Sequence, residues 1–220
     1  MNKAVIFDLD GTLIDSLGDI HAALNDVLQL RNAPPLSLAT VRGLIGKGSA
    51  NLVRRALTVQ NLPIDEASCA SALTDFLRLY SAELAKLTTI FDGAIDALDR
   101  LQGGGFCLGI CTNKPLAPTK IVLDQFGLTR FFDTIVCGDH LASRKPHPSM
   151  LFHAMACLDS KSCLFVGDSE IDRETAAAAS QPFALFTKGY RTSSIEILNP
   201  EYYFNEYSEL IDIVDIRYKE

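Results

Sequence analysis

The chain lacks any apolar run approaching the roughly 18–20 residues that a membrane-spanning helix needs. A secretory leader is not expected either, because the apolar start AVIF is broken at once by Asp8 and Asp10, where such a segment stays apolar. The six cysteines (Cys69, Cys107, Cys111, Cys137, Cys157 and Cys163) form no C-x-x-C pair. Most sit in apolar runs such as FCLGIC and SCLFV, which points to reduced, buried thiols in a cytoplasmic protein. His153 and Cys157 stand four apart on an expected helix, with no second pair nearby to complete a metal site. Positive charge is in deficit as well. A net charge of −7 and a pI of about 5.1 argue against nucleic acid and anionic membranes as partners. An acidic protein that handles an anionic substrate then needs a metal ion or a local cluster of Lys and Arg. There is no internal repeat. The one biased tract, Ala176–Ala179, fits a packed helix face.

What the chain does have is core material. With 220 residues, 48% hydrophobic and 21% charged, and a mean hydropathy of +0.15, it can build one good core, or a core plus a small second unit. That excludes a disulfide-stapled mini-protein and a disordered tail.

The pattern along the chain is strand then helix, repeated. Residues 3–7 (KAVIF) read as a buried strand. From Ser16 to about Leu87 the periodicity is helical. Leu17, Ile20, Ala23, Leu24, Val27 and Leu28 share one face, Ser16 is the expected N-cap, and Pro34-Pro35 is expected to stop that helix. A short helix after Ser37, another over roughly 48–60 and a longer one from Asp65 through about Leu87 follow. Strand–helix alternation then returns: a helix at about 93–102 running into Gly103-Gly104-Gly105, strands at 106–111, 134–138, 163–167 and 183–186, and helices at about 117–126, 148–157 and 171–179. A short strand at about 202–204 and a C-terminal helix complete the chain. This predicts an α/β fold: a parallel, doubly wound, Rossmann-like sheet core (1–15 and 88–220) with an inserted small α-helical domain (16–87).

Ligands of such sheets bind at the carboxyl ends of the strands. There the sequence places Asp8, Asp10, Gly11 and Thr12; then Thr112, Asn113 and Lys114; then Asp139 and Lys145; then Asp168, Ser169 and Asp172. Asp8 and Asp10, two apart in an extended segment, can face one site while Leu9 faces away. Asp168 adds a third carboxylate. Three carboxylates at one point repel unless a cation joins them, and all-oxygen ligation suits Mg²⁺. One carboxylate can be a nucleophile and a second an acid and base. Thr112 offers a hydroxyl to a phosphoryl oxygen and Lys145 a positive charge. Gly11 permits close backbone approach in an anion-binding nest. Singly, each residue has an ordinary explanation: a strand-ending Asp, a solvated Lys145, an Asp168 that only caps a helix.

Together, DLDGT at 8–12, the Thr of CTNKP at 112, the Lys of RKPHP at 145 and GDSEID at 167–172 resemble the haloacid dehalogenase-like superfamily of phosphatases. The resemblance spans nearly the whole chain and makes the helical insertion a cap. It implies that Asp8 is the nucleophile forming an aspartyl-phosphate, and that Asp10 is the acid and base, its backbone carbonyl also ligating Mg²⁺. It further implies that Thr112 and the Asn113 N–H hold phosphoryl oxygens, that Lys145 balances charge, that Asp168 ligates Mg²⁺, and that Asp172 supports it.

VRGLIGKGSANLVRRAL (41–57), CTNKPLAPTKIVL (111–123) and RKPHPSML (144–151) are similar to phosphoglycolate phosphatases in particular. The implied substrate is a small phosphorylated metabolite, 2-phosphoglycolate first, with pyrophosphate, sugar phosphates and nucleotides as alternatives. Two positions depart from that group: Asp92 replaces the Pro of its F-P-G hinge, and Ser180 replaces a Gly. Asp10 excludes the dehalogenases, which lack an acid there. In the sugar-phosphate mutases a cap His falls at the position of Ile20, whereas here His21 is one step away, about 100° around a helix. A phosphoacceptor switch has neither the second Asp nor a cap.

The turn G-L-I-G-K-G at 43–48 is not a P-loop and follows no strand. Gly46 and Lys47 are expected to face the substrate, Lys47 either contacting its carboxylate or remaining solvated.

Overall fold

The computed structural model describes residues 2–218. It divides into two compact units: the described residues up to Asp15 together with those from Ile90 onward, and Ser16–Thr89. No described helix is long and apolar enough to cross a membrane.

The first unit is built on a six-stranded parallel sheet. Its strands are β1 (Ala4–Phe7), β4 (Cys107–Cys111), β5 (Thr134–Val136), β6 (Cys163–Gly167), β7 (Phe183–Phe186) and β8 (Tyr202–Phe204), in the spatial order β5-β4-β1-β6-β7-β8. Every residue of β1, β6 and β7 is buried, as expected of parallel strands covered on both faces, whose sequences are continuous apolar runs. The helices of this unit are α5 (Ala94–Gly103), α6 (Leu116–Gln125), α7 (Ser149–Cys157), α8 (Glu170–Ala178), α9 (Ile195–Leu198) and α10 (Tyr207–Tyr218). From β1 the chain winds outward through β4 to β5, then crosses back to place β6 on the other side of β1. The order therefore reverses at β1, and the carboxyl ends of β4, β1 and β6 lie side by side, where a doubly wound sheet forms its crevice. Phe186 packs against Phe91, Phe204 and Tyr207, with ring centroids 4.9, 5.3 and 5.2 Å away. The Tyr207 hydroxyl donates to the Thr12 carbonyl, bracing the loop after β1.

The second unit holds α1 (Leu17–Gln29), α2 (Leu38–Arg42), α3 (Ser49–Val59) and α4 (Glu66–Ala82). Two helix ends differ from expectation. Helix α1 stops at Gln29, well before Pro34-Pro35, because Asn32 turns left-handed (φ 53°) and the Ala33 N–H returns to the Leu28 carbonyl at 3.0 Å. Helix α4 ends at Ala82 rather than near Leu87. Beyond it the buried Asp19 carboxylate accepts from Leu87 N–H at 2.9 Å, from Thr88 N–H at 3.0 Å and from the Thr88 hydroxyl. These donors serve a side chain, so they cannot continue a helix. Ser16 sits at the N-cap of α1 without a side-chain capping bond. Two strands of two residues each, β2 (Ile14–Asp15) and β3 (Thr89–Ile90), stand where the chain passes between the units.

The thiols are less uniformly buried than expected. Cys111, Cys137 and Cys163 are buried, Cys69 and Cys107 half-buried, and Cys157 exposed, and all six are free. Burial pushes Cys111 and Cys163 up to about 12 and Cys137 to about 11. Cys157 Sγ lies 3.8 Å from His153 Nε2, and no three-residue metal-ligating group among the described residues includes the pair.

Candidate active site

The site grows from the end of β1. Asp8 N–H donates to the Val166 carbonyl at 2.8 Å, continuing the ladder to β6, while Leu9 is fully buried. The Asp8 carboxylate meets Lys145 Nζ at 2.9 Å, and the same ammonium meets Asp172 Oδ1 at 2.7 Å. Lys145 is no solvated lysine: its side chain is 2% exposed. The Asn113 side chain fixes its loop, donating to the Lys145 carbonyl at 3.0 Å and accepting from the Lys145 N–H at 2.9 Å. Thus β4 places the residue that positions the lysine. The buried Thr112 hydroxyl accepts from Lys114 N–H at 3.2 Å.

The end of β6 supplies the opposite wall. Ser169, not Asp168, caps α8, and it forms a capping box with Asp172. One Asp172 oxygen accepts from Ser169 Oγ at 2.6 Å and Ser169 N–H at 3.2 Å, while the other faces Lys145. Asp168 is therefore left to point into the crevice. It accepts from Thr12 Oγ1 at 2.9 Å and from Tyr190 N–H at 2.6 Å. Backbone crowds it closely. A Cβ on Gly11, whose φ is +89°, would lie 2.5 Å from Asp168 Oδ2, and one on Gly189 would lie 2.2 Å from Asp168 Cβ. Both positions need glycine for this approach. Tyr190 and Gly189 were not singled out from sequence. No local pattern marks them, since they reach Asp168 only through the β7–α9 loop.

Asp10 turns to a different partner. Lys114 Nζ lies 2.8 Å from Asp10 Oδ1 and 3.2 Å from Oδ2, and the lysine side chain is 4% exposed. Lys114 was visible at a strand end, yet nothing in the sequence tied it to a carboxylate. Asp139, also at a strand end, accepts from Leu116 N–H at 2.9 Å and holds the start of α6.

The family model described as haloacid dehalogenase-like hydrolase matches residues 5–186. The chain belongs to that family. Phosphoglycolate phosphatase of Cereibacter sphaeroides is 42% identical over 210 residues, covering 96% of each chain. That of Rhodobacter capsulatus is 39% identical over 215 residues, covering 98% of each. A crystal structure described as a predicted phosphoglycolate phosphatase from Haemophilus somnus 129PT superposes with a TM-score of 0.89 at 28% identity, covering 96% of this chain and 97% of that one.

In this hydrolase the pocket's charges ask for a cation. Carboxylate oxygens of Asp8, Asp168 and Asp172 lie within 4.8 Å of one another. Burial pushes Asp8 up to about 7 and Asp172 adds to the push, with Lys145 opposing. Burial, then Asp172 and Asp8, raise Asp168 well above its ordinary value. Burial works against the Lys145 ammonium, but Asp172 and Asp8 outweigh it and hold its pKa above the ordinary value. Lys145 pairs with Asp8 and Asp172, Lys114 pairs with Asp10, and Asp168 lies beside Asp8 and Asp172. Three crowded carboxylates, all hard oxygen donors whose charged forms burial disfavours, fit one Mg²⁺.

Gly46 and Lys47 lie in the second unit, between α2 and α3, with Gly46 at φ +120°. In the same unit His21 Nε2 is 2.9 Å from the Leu36 carbonyl and 3.0 Å from Asn25 Nδ2, bonding that ties α1 to the segment before α2.

Proposed function

We propose that this hydrolase is a Mg²⁺-dependent phosphomonoesterase whose substrate is a small phosphorylated metabolite, 2-phosphoglycolate. The observation that carries the reading is the buried ammonium of Lys145, shared by Asp8 and Asp172. It fixes one carboxylate at the crevice while compensating the charge beside it. The two relatives named phosphoglycolate phosphatase, at 42% and 39% identity over nearly the full length, support the substrate.

An Asp8 oxygen bonds to phosphorus as the ester P–O bond breaks, and Asp10 gives its proton to the departing alkoxide. Asp10 then takes a proton from water, whose oxygen displaces Asp8 from phosphorus and releases inorganic phosphate. Lys145, the Thr112 hydroxyl and the Asn113 backbone N–H steady the phosphoryl oxygens. A Mg²⁺ held by Asp8, Asp168 and the Asp10 carbonyl, with Asp172 supporting, would supply neutralising charge to the transferring group. The free thiols fit a reducing, cytoplasmic compartment.

The test is phosphate release from a panel of phosphorylated metabolites, ranked by kcat/KM, with Mg²⁺ and with EDTA. Asp8→Asn should abolish turnover and EDTA should suppress it. Substantial activity in Asp8→Asn overturns the mechanism. A sugar phosphate or pyrophosphate ranked first overturns the substrate but leaves the reaction class. A phosphorylated Asp8 that persists without releasing phosphate would make the protein a switch.

A further inference from the structure

The pocket contains two buried ammoniums, and they serve opposite sides of the reaction. Lys145 pairs with Asp8 and Asp172, the side on which phosphorus is attacked. Lys114 pairs with Asp10, the residue that, on the reading above, touches the leaving oxygen. Lys114 needs no excursion to stay there: its backbone N–H is held by Thr112 Oγ1 at 3.2 Å, and its carbonyl accepts from Gly138 N–H at 2.9 Å.

A proton donor must stand within about 2.6–3.2 Å of the atom it protonates. Lys114 Nζ lies 2.8 Å beyond Asp10 Oδ1, so it falls within about 6 Å of the leaving oxygen. In an ester of an α-hydroxy acid the carboxylate oxygens sit about 3 Å from the ester oxygen, three bonds away through the α-carbon and the carboxyl carbon. An ammonium–carboxylate hydrogen bond of about 2.8 Å then spans what remains. A neutral alcohol of the same length offers Lys114 no charge to replace the one it shares with Asp10.

We propose that Lys114 is the specificity-determining residue for the leaving group, its ammonium taking a carboxylate one carbon from the ester oxygen, so that the site selects phosphate monoesters of α-hydroxy acids. This rests on the phosphatase reading and on the role of Asp10 within it.

The test compares kcat/KM for 2-phosphoglycolate and for 2-hydroxyethyl phosphate, which replaces the carboxylate by a neutral hydroxymethyl group. It is run on the wild type, Lys114→Met and Lys114→Arg. The wild type should prefer phosphoglycolate. Lys114→Met should lose about 10- to 100-fold of that preference, the value of a charged hydrogen bond, mainly through KM for phosphoglycolate. Lys114→Arg should keep most of it. The ratio is taken within one preparation, so it does not depend on the fraction of folded enzyme. If Met is not tolerated, Lys114→Gln carries the same comparison.

Equal losses on both substrates would assign Lys114 to positioning Asp10 alone and overturn the proposal, as would an unchanged ratio. A wild type inactive on both substrates, and on the wider panel, would instead sink the phosphatase reading beneath it.

Discussion

Replacing Lys145 by Met removes the charge at the centre of the site while keeping the bulk of its aliphatic stem. The ammonium is 2.9 Å from Asp8 and 2.7 Å from Asp172, whose side chain has no exposure at all. Without it, two carboxylates face each other in a buried crevice with Asp168 alongside. Removing one partner of a buried ion pair costs about 3–5 kcal/mol. For a chain of this size each kcal/mol moves Tm by about 2–4 °C, so Lys145→Met should melt roughly 6–20 °C below wild type in EDTA at neutral pH. Two further results should accompany that drop. Adding Asp172→Asn should recover part of it, since one of the stranded charges is gone. Lowering the pH should also narrow the gap. Burial has already raised Asp8 to about 7 from 3.8, and a carboxyl raised on folding stabilises the native state below its unfolded pKa and loses that contribution as pH rises through the folded one. Removing the lysine raises Asp8 further, so acid relieves the variant more than the wild type. The assay is thermal melting by circular dichroism, with EDTA and with Mg²⁺, over a pH series. A variant melting within about 2 °C of wild type in EDTA would refute the claim that this ammonium compensates buried charge.

Glu170 offers a separate pH prediction. Its Oε1 accepts from Thr192 N–H at 2.9 Å and from Ser193 N–H at 2.6 Å. Burial opposes the charge, but the backbone donors outweigh it and hold the carboxyl at about 2 against the usual 4.5. A depressed acid stabilises the fold above its unfolded pKa and loses that contribution as pH falls toward the folded one. Discounted for its half-exposed setting, the contribution is about 1 kcal/mol. Glu170→Ala should therefore cost about that much in urea unfolding at neutral pH and almost nothing near pH 2; a deficit that does not vary with pH would contradict this. Lys47→Ala should raise KM for phosphoglycolate with little change in kcat, and an unchanged KM would remove Lys47 from the substrate site.

The sheet was readable because each of its inner strands is buried on both faces and so appears as an unbroken apolar run. The gathering of Asp8, Asp10, Lys145, Asp168 and Asp172 was readable because strand ends are where a doubly wound fold collects its polar side chains. Helix ends were not, since α1 and α4 are stopped by a left-handed Asn32 and by the distant carboxylate of Asp19, contacts that no local period carries. Strands β2 and β3 and helix α9 are too short for periodicity to register. Ser180, where the resemblance to phosphoglycolate phosphatases implies a glycine, adopts φ 54°, so the backbone makes a left-handed turn there and bears the strain of a Cβ. Pairing was hidden too. Lys114 and Lys145 both read as loop lysines, and which carboxylate each meets depends on the neighbouring positions of β1, β4 and β6. The Lys114–Asp10 contact spans 104 residues of sequence.

That pairing also resolves the tension between an acidic chain and an anionic substrate. A net charge of −7 tells a distant polyanion to stay away, because its field is summed over the whole surface. A small phosphate ester meets the crevice instead, where charges are buried and little screened. There the carboxylates are concentrated enough to hold a divalent cation, and two ammoniums divide the remaining work between them. On the proposed mechanism Lys145 restrains the attacking side and Lys114 faces the departing one. Acidity at the site and attraction for phosphate are thus one arrangement: the carboxylates recruit positive charge, and the substrate binds what they recruit.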